Sequence, residues 1–143
     1  MPPLTLPSYL LDTNACIALI NGDPVSVRTR FMNCSDRGVQ FLVSSISTFE
    51  LWYGIEKNEP KESNRIGLDA FLSGTLRLLP FDDEDAKVAG SVRAALEIKG
   101  TPIGPYDLLI SAQALRREAT LVTANVREFR GIPGLQWEDW ARP

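Results

Sequence analysis

Short apolar runs alternate along the chain with segments whose apolar residues recur every three or four positions. Tyr9-Leu10-Leu11, Phe41-Leu42-Val43, Leu76 to Leu79 and Thr120-Leu121-Val122 read as strands, with Leu135-Gln136-Trp137 a shorter fifth. Between them Val27 pairs with Phe31, Leu51 with Ile55, and Leu68 with Phe71 and Leu72, all at helical spacing. Val88, Val92 and Leu96 mark a long helix that stops at Gly100 and Pro102, and another opens after Pro105 and runs through Leu109 and Ile110 to Arg117. The polar stretch from Lys57 to Asn64, with Pro60, is expected to join two helices. Strand and helix in alternation imply an α/β fold, a parallel sheet with helices on both faces. No repeat or low-complexity linker breaks this order, so residues 1–143 are expected to form a single domain.

Composition narrows the chemistry. Hydrophobic residues make up 44% of the 143, enough for a core without disulfide or metal staples. There is no apolar run of the ~18 residues a membrane span requires. Met1-Pro2-Pro3-Leu4-Thr5 lacks the basic and apolar regions of a signal peptide, so a cytoplasmic location is expected. The histidine count is zero, which excludes Ser-His and Cys-His catalysis and imidazole metal sites. Cys16 and Cys34 alone cannot close a zinc site, and Cys16, set among Ala15, Ile17 and Ala18, reads as a small buried hydrophobe. Any metal must then sit among oxygens, which favours magnesium or manganese. The net charge of −3 runs against a nucleic-acid binder. Basic residues nevertheless gather locally at Arg28, Arg30 and Arg37, at Lys57, Lys61 and Arg65, and at Arg116, Arg117, Arg127 and Arg130. Singly, each reads as solvated surface.

Four places set an acid or amide at an element boundary: Asp12 after the first strand, Glu50 after the second, Asp107 opening a helix, and Asn125 after the fourth strand. Each has a purely structural explanation. Asp12 suits a helix N-cap, Ser47 with Glu50 fits a capping box, Asp107 favours a helix dipole, and Asn125 with Glu128 fits a second box. Their concentration is harder to explain as capping. Ligands of an open parallel sheet bind outside the carboxyl ends of its strands, where Asp12, Glu50 and Asn125 lie, and Asp107 reaches that crevice if strands one and four are neighbours. Two carboxylates ~5 Å apart repel by about 3 kcal/mol at an effective dielectric of 20, so such a cluster calls for a cation. A divalent ion there also supplies what the missing histidine cannot, activation of water near neutral pH.

At these residues the chain resembles the PIN-domain ribonucleases, and among them the VapC toxins of bacterial toxin–antitoxin pairs. The similarity extends from Leu10 to Trp140. It is carried by Leu-Asp-Thr-Asn at 11–14, Ser-Ser-Ile-Ser-Thr-Phe-Glu-Leu at 44–51 with Tyr53-Gly54, and Gly-Thr-Pro-Ile-Gly-Pro-Tyr-Asp-Leu-Leu-Ile at 100–110. Leu-Val-Thr-Ala-Asn-Val-Arg-Glu-Phe at 121–129, Pro133-Gly134-Leu135 and Glu138-Asp139-Trp140 complete it. The resemblance implies an α/β/α sandwich with strand order 3-2-1-4-5. It implies magnesium- or manganese-dependent endonucleolytic cleavage of structured RNA, in a tRNA or rRNA loop, that inhibits translation. Asp12 and Asp107 match the metal-binding aspartates and Glu50 the third catalytic acid. Thr13, Asn125 and Glu128 take supporting places, and Arg127 and Arg130 are candidate phosphate contacts. The implied partner is a VapB-type antitoxin whose C-terminal segment blocks the acids. The toxin is expected to be a homodimer, with Trp52, Tyr53 and the 63–73 helix as contact surface, and to meet DNA only through the antitoxin.

Three positions depart from the common pattern. Asn125 stands where many members carry a fourth acid, Tyr106 where Asn is frequent, and Gln113 where some carry His; the last two bear on substrate placement. Other classes fit less well. A haloacid-dehalogenase-type phosphatase wants an acid at position 14, which is Asn14. A receiver-like domain wants an acid beside Asp12 and a Lys after the fifth strand, and has only Asp82 and Asp83 after the third. The remaining alternative is a catalytically degenerate PIN domain that binds protein or RNA.

Overall fold

Leu10 and Leu11 are both fully buried, although successive strand residues point to opposite faces. A strand covered on both sides belongs inside a parallel sheet with helices above and below. The computed structural model, which describes residues 7–142, has that arrangement. The Met1 to Thr5 stretch read for a targeting signal lies outside the described residues.

The elements run β1 (Ser8–Leu11), α1 (Thr13–Asn21), α2 (Val25–Ser35), β2 (Gln40–Ser44), α3 (Ser45–Lys57), α4 (Lys61–Leu72), β3 (Leu76–Leu79), α5 (Asp83–Ile98), α6 (Pro105–Arg117), β4 (Thr120–Val122), α7 (Val126–Phe129) and β5 (Trp137–Glu138). Five parallel strands lie in the order β3-β2-β1-β4-β5, the order the resemblance implied.

Register sorts the strand residues into two cores. Leu11 pairs with Val43 and Val122, and these three pack against Cys16, Leu19, Val27, Leu51, Ile55 and Leu68 from α1 to α4. Leu10 pairs with Leu42 and Leu121, and these pack against Leu96 of α5, Leu108 and Ile110 of α6 and Phe129 of α7. Each such side chain stabilises the fold by roughly 1.5–3 kcal/mol relative to exposure. Cys16 sits in the first core with its thiol pushed up by burial, as its apolar neighbours in the sequence suggest.

Two boundaries differ from the sequence reading. The fifth strand starts at Trp137, because Gly134 (φ 80°) makes a turn that sends Leu135 into the second core. The joint expected over Lys57 to Asn64 shrinks to residues 58–60, since α3 continues through Lys57 and α4 begins at Lys61. α4 fully buries only Leu68, so its first turn carries no apolar signature. Among the described residues, no helix is long and apolar enough to cross a membrane.

Candidate active site

Strand order reverses beside β1, whose neighbours are β2 and β4, and the carboxyl ends of these strands frame a crevice. Asp12 leaves β1 there, with its own N–H donating to the Val122 carbonyl (3.1 Å). It caps α1: its Oδ1 accepts from the Ala15 N–H at 2.7 Å. The side chain is 4% exposed. Burial pushes its pKa up to about 6, and the charges of Asp107 and Glu50 push the same way, against hydrogen bonds from Thr123 and Ala15. Capping is therefore a true description of Asp12 and an incomplete one. Asn would cap as well without burying a charge beside two others.

Glu50 reaches the crevice from α3. The expected Ser47–Glu50 box is absent: Ser44 caps α3 by accepting from the Ile46 N–H (2.9 Å), and the buried Ser47 hydroxyl makes no hydrogen bond. The helix starts one turn earlier than that box requires, leaving Glu50 in its second turn. There its Oε1 accepts from the Thr13 hydroxyl at 2.7 Å, which ties α3 to the start of α1.

Asp107 lies in the first turn of α6, behind Gly104 and Pro105. Its pKa is raised by burial first, then by Glu128 and Glu50, against a hydrogen bond from Asn125. Asn125 Nδ2 lies 3.4 Å from Asp107 Oδ2, at the long end for such a bond. Asn125 precedes α7 but its side chain does not cap it. Glu128 Oε2 accepts from the Gly104 N–H (3.2 Å). The expected Asn125–Glu128 box is thus replaced by two contacts to the opening of α6, because both side chains find partners on Gly104 and Asp107.

Thr123, buried beside Asp12, is a partner that sequence reasoning passed over. Its hydroxyl accepts from the Asn125 N–H (2.9 Å) and favours the charged form of Asp12. A Thr directly after a strand was the available signal. Gln113 does not approach the crevice. It is fully buried two helical turns along α6, donating to Asp85 Oδ2 (3.2 Å), so it has no access to a substrate. Tyr106 is exposed at the rim. Arg127 and Arg130 are exposed on and just after α7, on the strand-end side of the sheet. Arg116, from the same basic cluster, is bound to Asp82 (2.8 Å) and Asp85 (2.9 Å).

The donor set at the crevice is carboxylates and hydroxyls with the Asn125 amide, suited to a hard divalent cation. A buried Asp12 whose ionisation is opposed by burial and by Asp107 and Glu50 is what such a cation would relieve. Among the described residues no three acidic or thiol side chains converge closely enough to enclose an ion.

A five-stranded parallel α/β/α sheet with acids at its switch point is an architecture that several enzyme classes share, and comparison with known proteins gives it a family. Residues 9–135 match the PIN domain. The chain is 43% identical over 133 residues to the tRNA(fMet)-specific endonuclease VapC of Salmonella typhimurium, covering 92% of this chain and 97% of that one. It is 41% identical over 132 residues to ribonuclease VapC2 of Rickettsia felis, covering 92% and 97%. Among solved structures, VapBC2 of Rickettsia felis bound to a promoter DNA fragment superposes with a TM-score of 0.85 at 40% identity, covering 93% of this chain and 98% of that chain. DNA-bound VapBC of Salmonella typhimurium gives 0.85 at 41% identity, covering 94% and 99%. The chain belongs to the PIN-domain family and, within it, to the VapC ribonucleases.

Proposed function

We propose that this protein is a magnesium- or manganese-dependent endoribonuclease toxin that cuts structured RNA, a tRNA or rRNA loop, and so inhibits translation. The observation that carries the reading is the buried Asp12 carboxyl beside Asp107 and Glu50 at the switch point of the sheet. Asp12 and Asp107 hold the cation. Glu50, kept in place by Thr13, accepts a hydrogen bond from the attacking water and aligns it with the phosphodiester. Asn125 and Thr123 fix the two aspartates, and Glu128 braces the Gly104 turn beneath Asp107. Arg127 and Arg130 contact phosphates. A bound divalent cation supplies Lewis acidity, neutralising phosphate charge and easing loss of a proton from water near pH 7.

The partner is a VapB-type antitoxin, as in the Rickettsia and Salmonella VapBC structures, and DNA is reached through it. Its seat is a groove of about 300 Å³ between α1, α3 and α4, lined by Ile17, Ile20, Leu51, Ile55 and Leu68 and ending at Glu50. A segment lying there covers one wall of the acidic site. The toxin acts as a homodimer in the cytoplasm. Expression in a bacterium without the antitoxin tests the reading. Growth arrest with discrete tRNA or rRNA fragments, abolished by Asp107→Asn, is expected. Arrest with intact RNA, or equal arrest by the variant, would point instead to a domain that acts by binding.

A further inference from the structure

Phe49 is 53% exposed and Tyr106 44% exposed, although both are large aromatic residues. They immediately precede Glu50 and Asp107, on two different helices, and their rings meet edge to face with centroids 5.6 Å apart. An edge-to-face pair leaves aromatic surface open to stack on. The feature continues along α3. Tyr53, four residues beyond Phe49, is 58% exposed, and Lys57, four further, holds its Nζ 5.7 Å from the Tyr53 ring centroid. Helical rise sets successive members about 6 Å apart. Among the described residues Lys57 makes no ion pair. The result is an aromatic, aromatic, cationic track leading away from the acids.

We propose that Phe49 and Tyr106 stack the unpaired nucleobases that flank the cut phosphodiester, and that Lys57 meets a backbone phosphate at the far end. The inference rests on the nuclease reading above and deepens it. Single-stranded RNA is held largely by aromatic side chains stacked on splayed bases, whatever their sequence. That mode suits this chain. Its net charge is −3, and Arg30, Arg65 and Arg116 are taken up by Glu138, by Glu56 and Glu62, and by Asp82 and Asp85. Uncharged stacking then supplies affinity that a basic surface would otherwise provide. A second copy of this chain is the competing cover for exposed aromatics. Phe49 and Tyr106 adjoin Glu50 and Asp107, which RNA must reach to be cut, so a second copy laid over them would close the site that RNA needs open.

The test measures binding, so it stays informative whether or not the chain cuts RNA. The full chain carrying Asp107→Asn is titrated with a labelled single-stranded RNA 12-mer and with a ribose-phosphate 12-mer lacking bases. The base-bearing strand should bind about tenfold tighter or more. Phe49→Ala and Tyr106→Ala should each remove most of that difference, Phe49→Trp and Tyr106→Phe should keep it, and sedimentation should show an unchanged oligomeric state. Equal affinity for the two strands overturns the proposal without any substitution that could impair folding. Loss of binding that coincides with dissociation into monomers also overturns it, by assigning the surface to a second copy. Cleavage by the unsubstituted chain is scored separately, so failure of the nuclease reading is seen independently of this one.

Discussion

Asp12 serves two ends that separate on substitution. As a cap it needs only an acceptor for the Ala15 N–H, while as a buried carboxyl it resists ionising. Its pKa of about 6 in the folded protein lies above that of an unfolded chain. Between roughly pH 4 and 6 the folded state therefore binds more protons than the unfolded state. In metal-free protein this contribution is fully present below the unfolded pKa and is lost as pH rises through about 6. Asp107, raised in the same direction, adds to it. Asp12→Asn keeps the cap and removes the charge. Chemical denaturation without metal should find the variant as stable as wild type or more stable at pH 7, by up to about 2–3 kcal/mol, with the gap closing at pH 4. A clear loss at pH 7 would mean that the carboxylate is there for the helix. Thr13→Val tests a neighbouring role. Removing the hydroxyl that holds Glu50 should lower kcat by about tenfold or more while leaving the circular dichroism spectrum unchanged, since misplacement at an active site is costly.

At the scale of elements, α6 must be held so that Asp107 meets β1 and β4, and its far end is anchored by charge. Asp82 and Asp85 form a reciprocal capping box on α5; Arg116 of α6 binds both carboxylates and Gln113 binds that of Asp85. Asp85 is fully buried, and its carboxylate accepts from the Asp82 N–H, Gln113 Nε2 and Arg116 Nη1. Asp85→Ala should destabilise the protein by about 2–4 kcal/mol in urea unfolding, because it removes the carboxylate that the buried Gln113 amide binds, one of the two partners of Arg116, and the Asp85 half of the capping box. A loss below about 0.5 kcal/mol would show that packing alone holds the two helices. The strands and the long helices were legible in the sequence because their apolar residues repeat at the periods that burial imposes, as Leu10-Leu11 and Val88-Val92-Leu96 do. The Asp85 staple was not, because nothing local in Asp82-Asp83-Glu84-Asp85 says that Arg116 will arrive from more than thirty positions away. Ser47 and Glu50 satisfied the spacing of a capping box, but the helix already had its cap in Ser44. Motif spacing identifies caps only once the start of the helix is known.

For the whole molecule, the sheet order makes one crevice of residues scattered from position 12 to position 128. Asp12 and Glu50 were visible in the sequence as residues that follow strands and Asp107 as one that opens a helix, and the family resemblance gave them roles. Thr123, Phe49 and the displacement of Gln113 needed the three-dimensional arrangement, since each depends on a contact between distant segments. A ligand that binds only the folded crevice stabilises the whole chain. Magnesium at millimolar concentration should therefore raise the melting temperature of wild type by a few degrees and leave the Asp12→Asn, Asp107→Asn double variant unmoved. Equal shifts in both would place the cation elsewhere. The most direct test of the central claim is cleavage of total bacterial tRNA and rRNA by the purified, antitoxin-free chain, in manganese or EDTA, beside Asp107→Asn. Discrete fragments that need manganese and vanish in the variant are the predicted result. Folded protein that leaves both RNAs intact in manganese, or a variant that cuts as well as wild type, would contradict it.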